Sequence, residues 1–290
     1  MGLVRRGSRA LRSVLSRSAP DHRRTESAAE RPSNYARAMP APENALALFP
    51  GRWASSLPDR DGPGAAPLFD DDRIKWLIAE LGGVDGYEVL ELGPLEGAHT
   101  FMLEKSGANV CAIEGNEDAF LRCLIVKNHF DLRARFLLGD FAASFGRSGR
   151  WDLVVASGVL YHMSDPVGLL RNMAQVSDRV FVWTHYFEPD GALWSHSIRE
   201  RIGDKWLPEK IAQVEIAGLT IRGVPQRYLE SLQAQGFCGG PESSSLWLFK
   251  DDILALLRAL GFDDLRIAFD EPAHPHGPSF AVLAQRTSTA

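Results

Sequence analysis

The residues with chemistry to offer in this sequence fall at the ends of short apolar runs. The first run closes as Val89-Leu90-Glu91-Leu92-Gly93-Pro94-Leu95-Glu96-Gly97-Ala98-His99, a glycine turn of the form G-x-x-x-G. A pyrophosphate needs G-x-G-x-x-G so that backbone can crowd its oxygens, and here Leu95 stands at the second-glycine position. Glu96 adds negative charge where an anion would sit, so a nicotinamide-dependent oxidoreductase is disfavoured. With Glu91 beside it, the turn suits a ligand carrying an ammonium or a net positive charge. The second run ends in Glu114, placed to accept hydrogen bonds from ribose hydroxyls. The third ends in Gly139-Asp140-Phe141, an acceptor for an exocyclic amine next to an apolar face for a base. Three consecutive tips thus offer an adenosine-shaped set of contacts.

Those tips can share one crevice only if the runs are neighbouring parallel strands, which bind ligands at their carboxyl edge. The pattern from 87 to 185 fits. Strands read at Glu88–Leu92, Asn109–Ile113, Arg135–Leu138, Leu153–Ala156 and Val180–Trp183, alternating with helices near 97–106, 117–129 and 165–175. A helix at 72–82 precedes them, with cap candidates at Asp70 to Asp72 and one face formed by Ile74, Leu77, Ile78 and Leu81. A helix at 248–260 follows, then strands at Leu265–Phe269 and Ser279–Ala284. The turn between these last two is too short for a crossover, so they pair antiparallel. The expected fold is α/β: a Rossmann-like, doubly wound sheet of seven strands, mostly parallel with one antiparallel strand, plus an insertion.

Carried by the Gly93/Gly97 turn, Glu114 and Asp140-Phe141, the chain resembles the class I S-adenosylmethionine-dependent methyltransferases over 87–185 and again over 248–285. The resemblance implies that S-adenosylmethionine is the cofactor. It also implies that Gly93 and Gly97 flank the methionine moiety, Glu91 helps hold its amino group, Glu114 binds the ribose and Asp140 with Phe141 holds adenine. Ser157, at the tip of the fourth strand, joins these expected cofactor contacts. Pro94-Leu95 departs from the family's usual second glycine. Gly158-Val159-Leu160-Tyr161-His162, with Gly93-x-x-x-Gly97-x-His99, is also similar to the tRNA wobble-uridine carboxymethyltransferases.

Methyl transfer is an in-line displacement in which the protein orients the acceptor and removes its proton. For a hydroxyl acceptor, a neutral histidine is the fitting base. His185, in Thr184-His185-Tyr186 after the fifth strand, is the first candidate and His162 the second, with Tyr161 and Tyr186 as acceptor-orienting hydroxyls. Residues 188–245 interrupt the rhythm and read as a lid carrying Trp194, His196, Trp206, Tyr228 and Phe237, with Trp194 and Tyr186 expected to touch substrate. A metal reading would draw on His162, Asp165, His185, Glu188 and Asp190, but the spacing of a catechol-type metal site is missing, so no metal is expected.

The chain has 290 residues, of which 45% are hydrophobic and 24% charged, the composition of a soluble globular protein. No run approaches the ~18 apolar residues of a transmembrane helix. Residues 1–24 hold seven arginines against one acid. The remainder, with 25 basic and 36 acidic residues, carries a net charge of −11. An acidic body argues against non-specific binding of nucleic acid, since Lys and Arg on phosphates supply most of that affinity. Cys111, Cys123 and Cys238 form no CxxC pair, so the default compartment is a reducing cytoplasm. The expected organisation is a basic, then Ala/Pro-rich tail over 1–45, a cap segment and helix over 46–83, and the methyltransferase domain over 84–290. The expected function is methylation of oxygen on a small molecule or glycan. The alternatives are a tRNA-modifying (carboxy)methyltransferase and a non-catalytic S-adenosylmethionine-binding module.

Overall fold

Glu88–Leu92 (β1) is buried along four of its five residues, as a central parallel strand must be. A computed structural model of the protein describes residues 35–59, 64–143, 145, 149–190, 196, 199, 211–228 and 239–287. Met1–Met39 form one unit and Pro40–Ala290 another, and the fold below belongs to the second. Around β1 lie Asn109–Glu114 (β2), Arg135–Leu138 (β3), Leu153–Ser157 (β4), Arg179–His185 (β5), Asp264–Glu271 (β9) and Ser279–Gln285 (β10). The sheet runs β3-β2-β1-β4-β5-β10-β9, with β10 antiparallel to both its neighbours and the remaining pairs parallel. The seven-stranded, mostly parallel sheet with one antiparallel strand is as expected.

The period-2 alternation of the strands divides the core between the two faces of the sheet. Val89, Val110, Val155 and Phe181 pack with Ile74, Leu77, Leu103 and Cys123 from Asp72–Glu80 (α1), Ala98–Lys105 (α2) and Glu117–Phe130 (α3). Leu90, Val154, Val180 and Val182 pack on the other face with Leu169, Met173, Ile253 and Leu257 from Pro166–Val176 (α4) and Lys250–Ala259 (α5). The helices start where capping chemistry allows. The Asp71, Asn116 and Asp165 side chains accept backbone N–H groups in the first turns of α1, α3 and α4.

The N-terminal strap starts with a 3-10 helix over Pro42–Leu48, entered by Pro42 and anchored by buried Leu46. Leu46, Trp53, Leu57 and Phe69 form a small core with Ala98, Val126 and Leu132, which lays the strap across α2 and α3. Trp53 Nε1 donates to Leu46 O at 3.0 Å within it.

The inserted region contains its own antiparallel sheet of Ala212–Ile216 (β6), Leu219–Arg227 (β7) and Ser244–Leu248 (β8). The two-residue turn Ala217-Gly218 has positive φ at both positions, the geometry that matches strand twist in tight hairpins. β8 reaches Leu248 through its pairing with Gly223 of β7, and the sheet is joined to the main body where Phe187 N donates to Leu248 O at 2.8 Å and Leu246 N to Met163 O at 2.9 Å. Buried Asp252 on α5 accepts Arg222 N, Nε and Nη2 at 2.7–2.9 Å, tying β7 to the main body.

Candidate functional site

A cavity of about 880 Å³ opens at the carboxyl edge of the sheet, lined by the loops after β1 to β4, by Trp183 of β5 and by Gly239–Glu242 of the insertion. Its floor is the glycine turn. Gly93, Leu95 and Gly97 all hold left-handed backbone, with φ of 61°, 58° and 77°. A Cβ at Gly93 would lie 3.0 Å from Val159 Cγ2, and one at Gly97 3.1 Å from Phe136 Cζ, so both positions need glycine. Leu95 keeps the second-glycine conformation without being glycine, a strain of about 1–2 kcal/mol. What holds it is Glu114, whose Oε2 accepts Leu95 N at 3.0 Å while Oε1 accepts Asn116 N at 2.8 Å.

Glu114 therefore does two jobs. It braces the turn, and its carboxylate, with about four acceptor sites of which two are used, still faces the cavity. Burial pushes its carboxyl above the usual range, although the N–H groups of Asn116 and Leu95 pull the other way. Asp140 and Phe141 line the same cavity beyond β3, with Asp140 Oδ1 accepting Ala142 N at 2.8 Å. Ser157 Oγ and Ser55 Oγ are buried on its wall without a hydrogen-bond partner. Orphaned hydroxyls of this kind are what a polar ligand would satisfy. The residues present thus fit S-adenosylmethionine: Gly93, Gly97, Glu114, Asp140, Phe141 and Ser157 all face one space or shape its floor.

Two acids are placed differently from expectation. Glu91 is buried and does not line the cavity. It has the same strand parity as Val89, which turns its carboxyl under α2, where it accepts the Thr100 hydroxyl, and burial raises its pKa. The expected contact of Glu91 with the cofactor's amino group has no cavity-lining position to support it. Glu96 lies at the cavity wall, but its carboxylate is enclosed and bound by the chain. It accepts Ala54 N at 2.8 Å and Ser55 N at 2.9 Å, and lies 3.3 Å from Arg122 Nε.

A cluster of Asp71, Arg73 and His99 escaped the sequence reading. Arg73 and His99 line the cavity and are joined through Asp71, which accepts Arg73 Nε at 2.9 Å and His99 Nε2 at 2.9 Å. The Arg73 guanidinium carbon lies 4.2 Å from the centre of the Trp183 ring. Burial pushes the Asp71 carboxyl up, but hydrogen bonds from His99 and Arg73 overcome it and hold the group well below the usual carboxylate range. Such a corner suits a carboxylate such as that of the cofactor's amino-acid end. Asp71-x-Arg73 at a helix cap and His99 two residues after Gly97 were the available signals, but nothing local says that they meet.

The turn after β4 supplies another wall of the cavity. Tyr161 and His162 line the cavity, and His162 Nδ1 is 2.8 Å from the hydroxyl of Tyr228, the residue following β7. His185 does not line it. β5 extends to His185, paired with Ser279 of β10, so the residue lies in the sheet and not on a loop. Its Nδ1–H donates to Gly277 O at 2.8 Å, its ring stacks on Trp247 at 5.4 Å, and burial pulls its pKa down from 6.5 to about 4. A base so weakened and enclosed is poorly suited to the role first assigned to it.

His185 instead sets a pH dependence of stability. The fold favours its neutral form, so its contribution is complete above pH 6.5 and is lost as pH falls through 6.5 toward about 4. Urea midpoints measured across that window should fall more steeply for the wild type than for His185→Gln. Parallel slopes would contradict the assignment.

Tyr186 is also misplaced by the sequence reading. It is buried against Phe280 at 5.7 Å, with its pKa pushed up to about 12 by burial, and it does not line the cavity. Trp194, Trp206, Phe237 and Cys238 lie outside the described residues, and His196 is exposed. Among the described residues no group of three or more His, Cys, Asp or Glu is arranged to hold a metal ion. Asp165, drawn on in the metal reading, caps α4. Cys111 and Cys123 are buried free thiols, raised in pKa chiefly by burial. No helix among the described residues is long and apolar enough to cross a membrane.

Glu114→Gln tests the floor of the site. The amide can accept only one of the two backbone N–H groups, so affinity for S-adenosylhomocysteine should fall about 10- to 30-fold, roughly the 1.5–2 kcal/mol of one charge-assisted bond. Isothermal calorimetry reads this directly, and a change below about twofold would remove Glu114 from the site.

Residues 90–179 match the family model described as "Methyltransferase domain". Ribosomal RNA small subunit methyltransferase A of Bartonella tribocorum (strain CIP 105476 / IBS 506) is 27% identical over 143 residues, 48% of this chain and 49% of that protein. The chain thus spans about half the length of the curated relative it matches. Among solved structures, the N-terminal domain of EvdMO1 with SAH bound superposes with a TM-score of 0.62 at 22% identity, covering 84% of this chain and 95% of that one. The same domain was also solved in the presence of SAH and D-fucose, with a TM-score of 0.61 at 22% identity, covering 85% and 95%. Magnesium protoporphyrin IX methyltransferase (ChlM) from Synechocystis PCC 6803 with bound SAM superposes at 0.51 with 15% identity, covering 87% and 100%.

Proposed function

We propose that this chain, whose residues 90–179 match a methyltransferase domain, uses S-adenosylmethionine to methylate a hydroxyl oxygen of a small molecule or glycan, with His162 as the base. When bound, the cofactor supplies an electrophilic methyl group on a cationic sulfur. The chain's own part is to hold both partners and move one proton. Glu114, Asp140 and Phe141 hold the nucleoside end, and Arg73 with His99 the carboxylate end. His162 Nε2 would accept the proton that the acceptor hydroxyl gives up, and the bound cofactor would supply the methyl group and keep the electron pair of the bond it loses. Tyr161, on the same turn, orients the acceptor.

The observation that carries this reading is that His162 and Tyr161 share one cavity with Glu114 and Asp140, whereas His185 does not. Gly239–Glu242 of the insertion line the same cavity, consistent with the insertion serving as a substrate lid. The test is S-adenosylhomocysteine release with a panel of hydroxylated acceptors that includes deoxy sugars and phenols. In parallel, a cell extract supplied with methyl-labelled S-adenosylmethionine would be separated into RNA, lipid, glycan and small-metabolite fractions. Label entering glycan or small metabolites supports the proposal. Label confined to RNA would favour an RNA-modifying enzyme, and saturable cofactor binding with no labelled fraction would favour a binding module.

A further inference from the structure

We propose that Ser55, on the strap that precedes the matched domain, binds the amino-acid end of the cofactor through its hydroxyl. The inference rests on the cavity being the cofactor's site and is independent of which acceptor is methylated. Residues 90–179 match the methyltransferase domain, yet Ser55, Leu68 and Arg73 also line the cavity, from chain that comes before it. Ser55 is fully buried, and its Oγ has no hydrogen-bond partner within the protein. A buried hydroxyl left unpaired costs stability, so its place in a cavity wall points to a partner that arrives with the ligand.

The chain fixes this hydroxyl from three directions. Glu96, inside the Gly93–Gly97 turn, accepts Ala54 N at 2.8 Å and Ser55 N at 2.9 Å, and Arg122 Nε lies 3.3 Å from the same carboxylate. Ala54 O accepts Ala65 N at 3.0 Å and Ala66 N at 2.8 Å, while Ser56 N donates to Ala66 O at 2.8 Å. Gly64 packs on the same peptide, where a Cβ would lie 2.4 Å from Ala54 C and 2.6 Å from Ser55 N. The N–H and C=O of the Ala54–Ser55 peptide are thus spent on anchoring, and the side-chain hydroxyl remains for a ligand. Its neighbours indicate which end of the cofactor it serves. Through Glu96 it is tied to the glycine turn, and His99, two residues past that turn, joins Arg73 in offering donors to a carboxylate. A hydroxyl can donate to a carboxylate or accept from an ammonium, so it suits either polar group of an amino acid.

The test is calorimetry on the full-length protein with two ligands, S-adenosylhomocysteine and 5′-methylthioadenosine, the second of which keeps the nucleoside and thioether but lacks the amino-acid end. Ser55→Ala should weaken S-adenosylhomocysteine binding about 10-fold, the worth of one hydrogen bond to a charged group, and leave methylthioadenosine within about twofold. Because the hydroxyl removed has no partner in the unliganded chain, the thermal midpoint without ligand is expected at or above that of the wild type. Unchanged affinity for S-adenosylhomocysteine, or an equal loss for both ligands, overturns the proposal. If Ser55→Ala does not fold, Ser55→Cys, which nearly keeps the volume and replaces the oxygen by a weakly bonding sulfur, must show the same selective loss for the proposal to stand. Failure of the cavity as the cofactor's site is separate. It would appear as undiminished affinity in Glu114→Gln, whereas Ser55 alone is removed if Glu114→Gln weakens binding and Ser55→Ala does not.

Discussion

Glu96→Ala is expected to destabilise the protein by about 3–5 kcal/mol, the range for removing one partner of a buried ion pair. The Glu96 side chain is wholly enclosed and that of Arg122 is 4% exposed. Loss of the carboxylate leaves the Arg122 guanidinium buried without its counter-charge, and the backbone N–H groups of Ala54 and Ser55 lose their acceptor. The strap then has only its apolar anchors to hold it across α2 and α3. Because Ser55 belongs to the cavity wall, cofactor affinity should fall together with stability. Chemical denaturation gives the first quantity and calorimetry the second, while limited proteolysis near residues 50–66 should accelerate. A loss below about 1 kcal/mol would mean that water reaches Arg122 and that the clamp is ornamental.

His162→Gln should lower kcat by about 10²- to 10⁴-fold, the usual worth of a positioned general base. Affinity for S-adenosylhomocysteine should stay within about twofold, because the side chain lies on the acceptor side of the cavity. His185→Gln is the matched control. Its ring is packed on Trp247 and bonded to Gly277 O outside the cavity, so its effect on kcat should be small beside that of His162→Gln. The measurement is turnover with whichever acceptor the panel identifies. The reverse order of effects would return His185 to the mechanism and require its packing on Trp247 to open during catalysis.

Much of the scaffold was readable before any coordinates. The starts of β1, β2, β3 and β4 fall on the residues that apolar alternation indicates, and the short turn between β9 and β10 forces antiparallel pairing. Glu114 and Asp140 were legible because a residue at the tip of a parallel strand has little choice about the edge it serves. The errors share a different cause. Glu91 is one residue inside a strand tip, where parity alone selects the face, and it went beneath α2. His185 looked like a loop residue because β10, nearly a hundred positions later, is what extends β5 to include it.

The Asp71–Arg73–His99 cluster and the histidine–tyrosine pair lay beyond reach for a related reason. Asp71, Arg73 and His99 meet only because α1 packs beside α2, and Tyr228 reaches His162 only because the inserted sheet docks on Met163. Local pattern determined the strands, helices and carboxyl-edge acids of this protein, because backbone periodicity and turn chemistry act between residues a few positions apart. Tertiary packing decided which charged and aromatic side chains share the cavity. The direction of a side chain depends on neighbours brought from distant parts of the chain, and burial then determines which of them keep a usable proton.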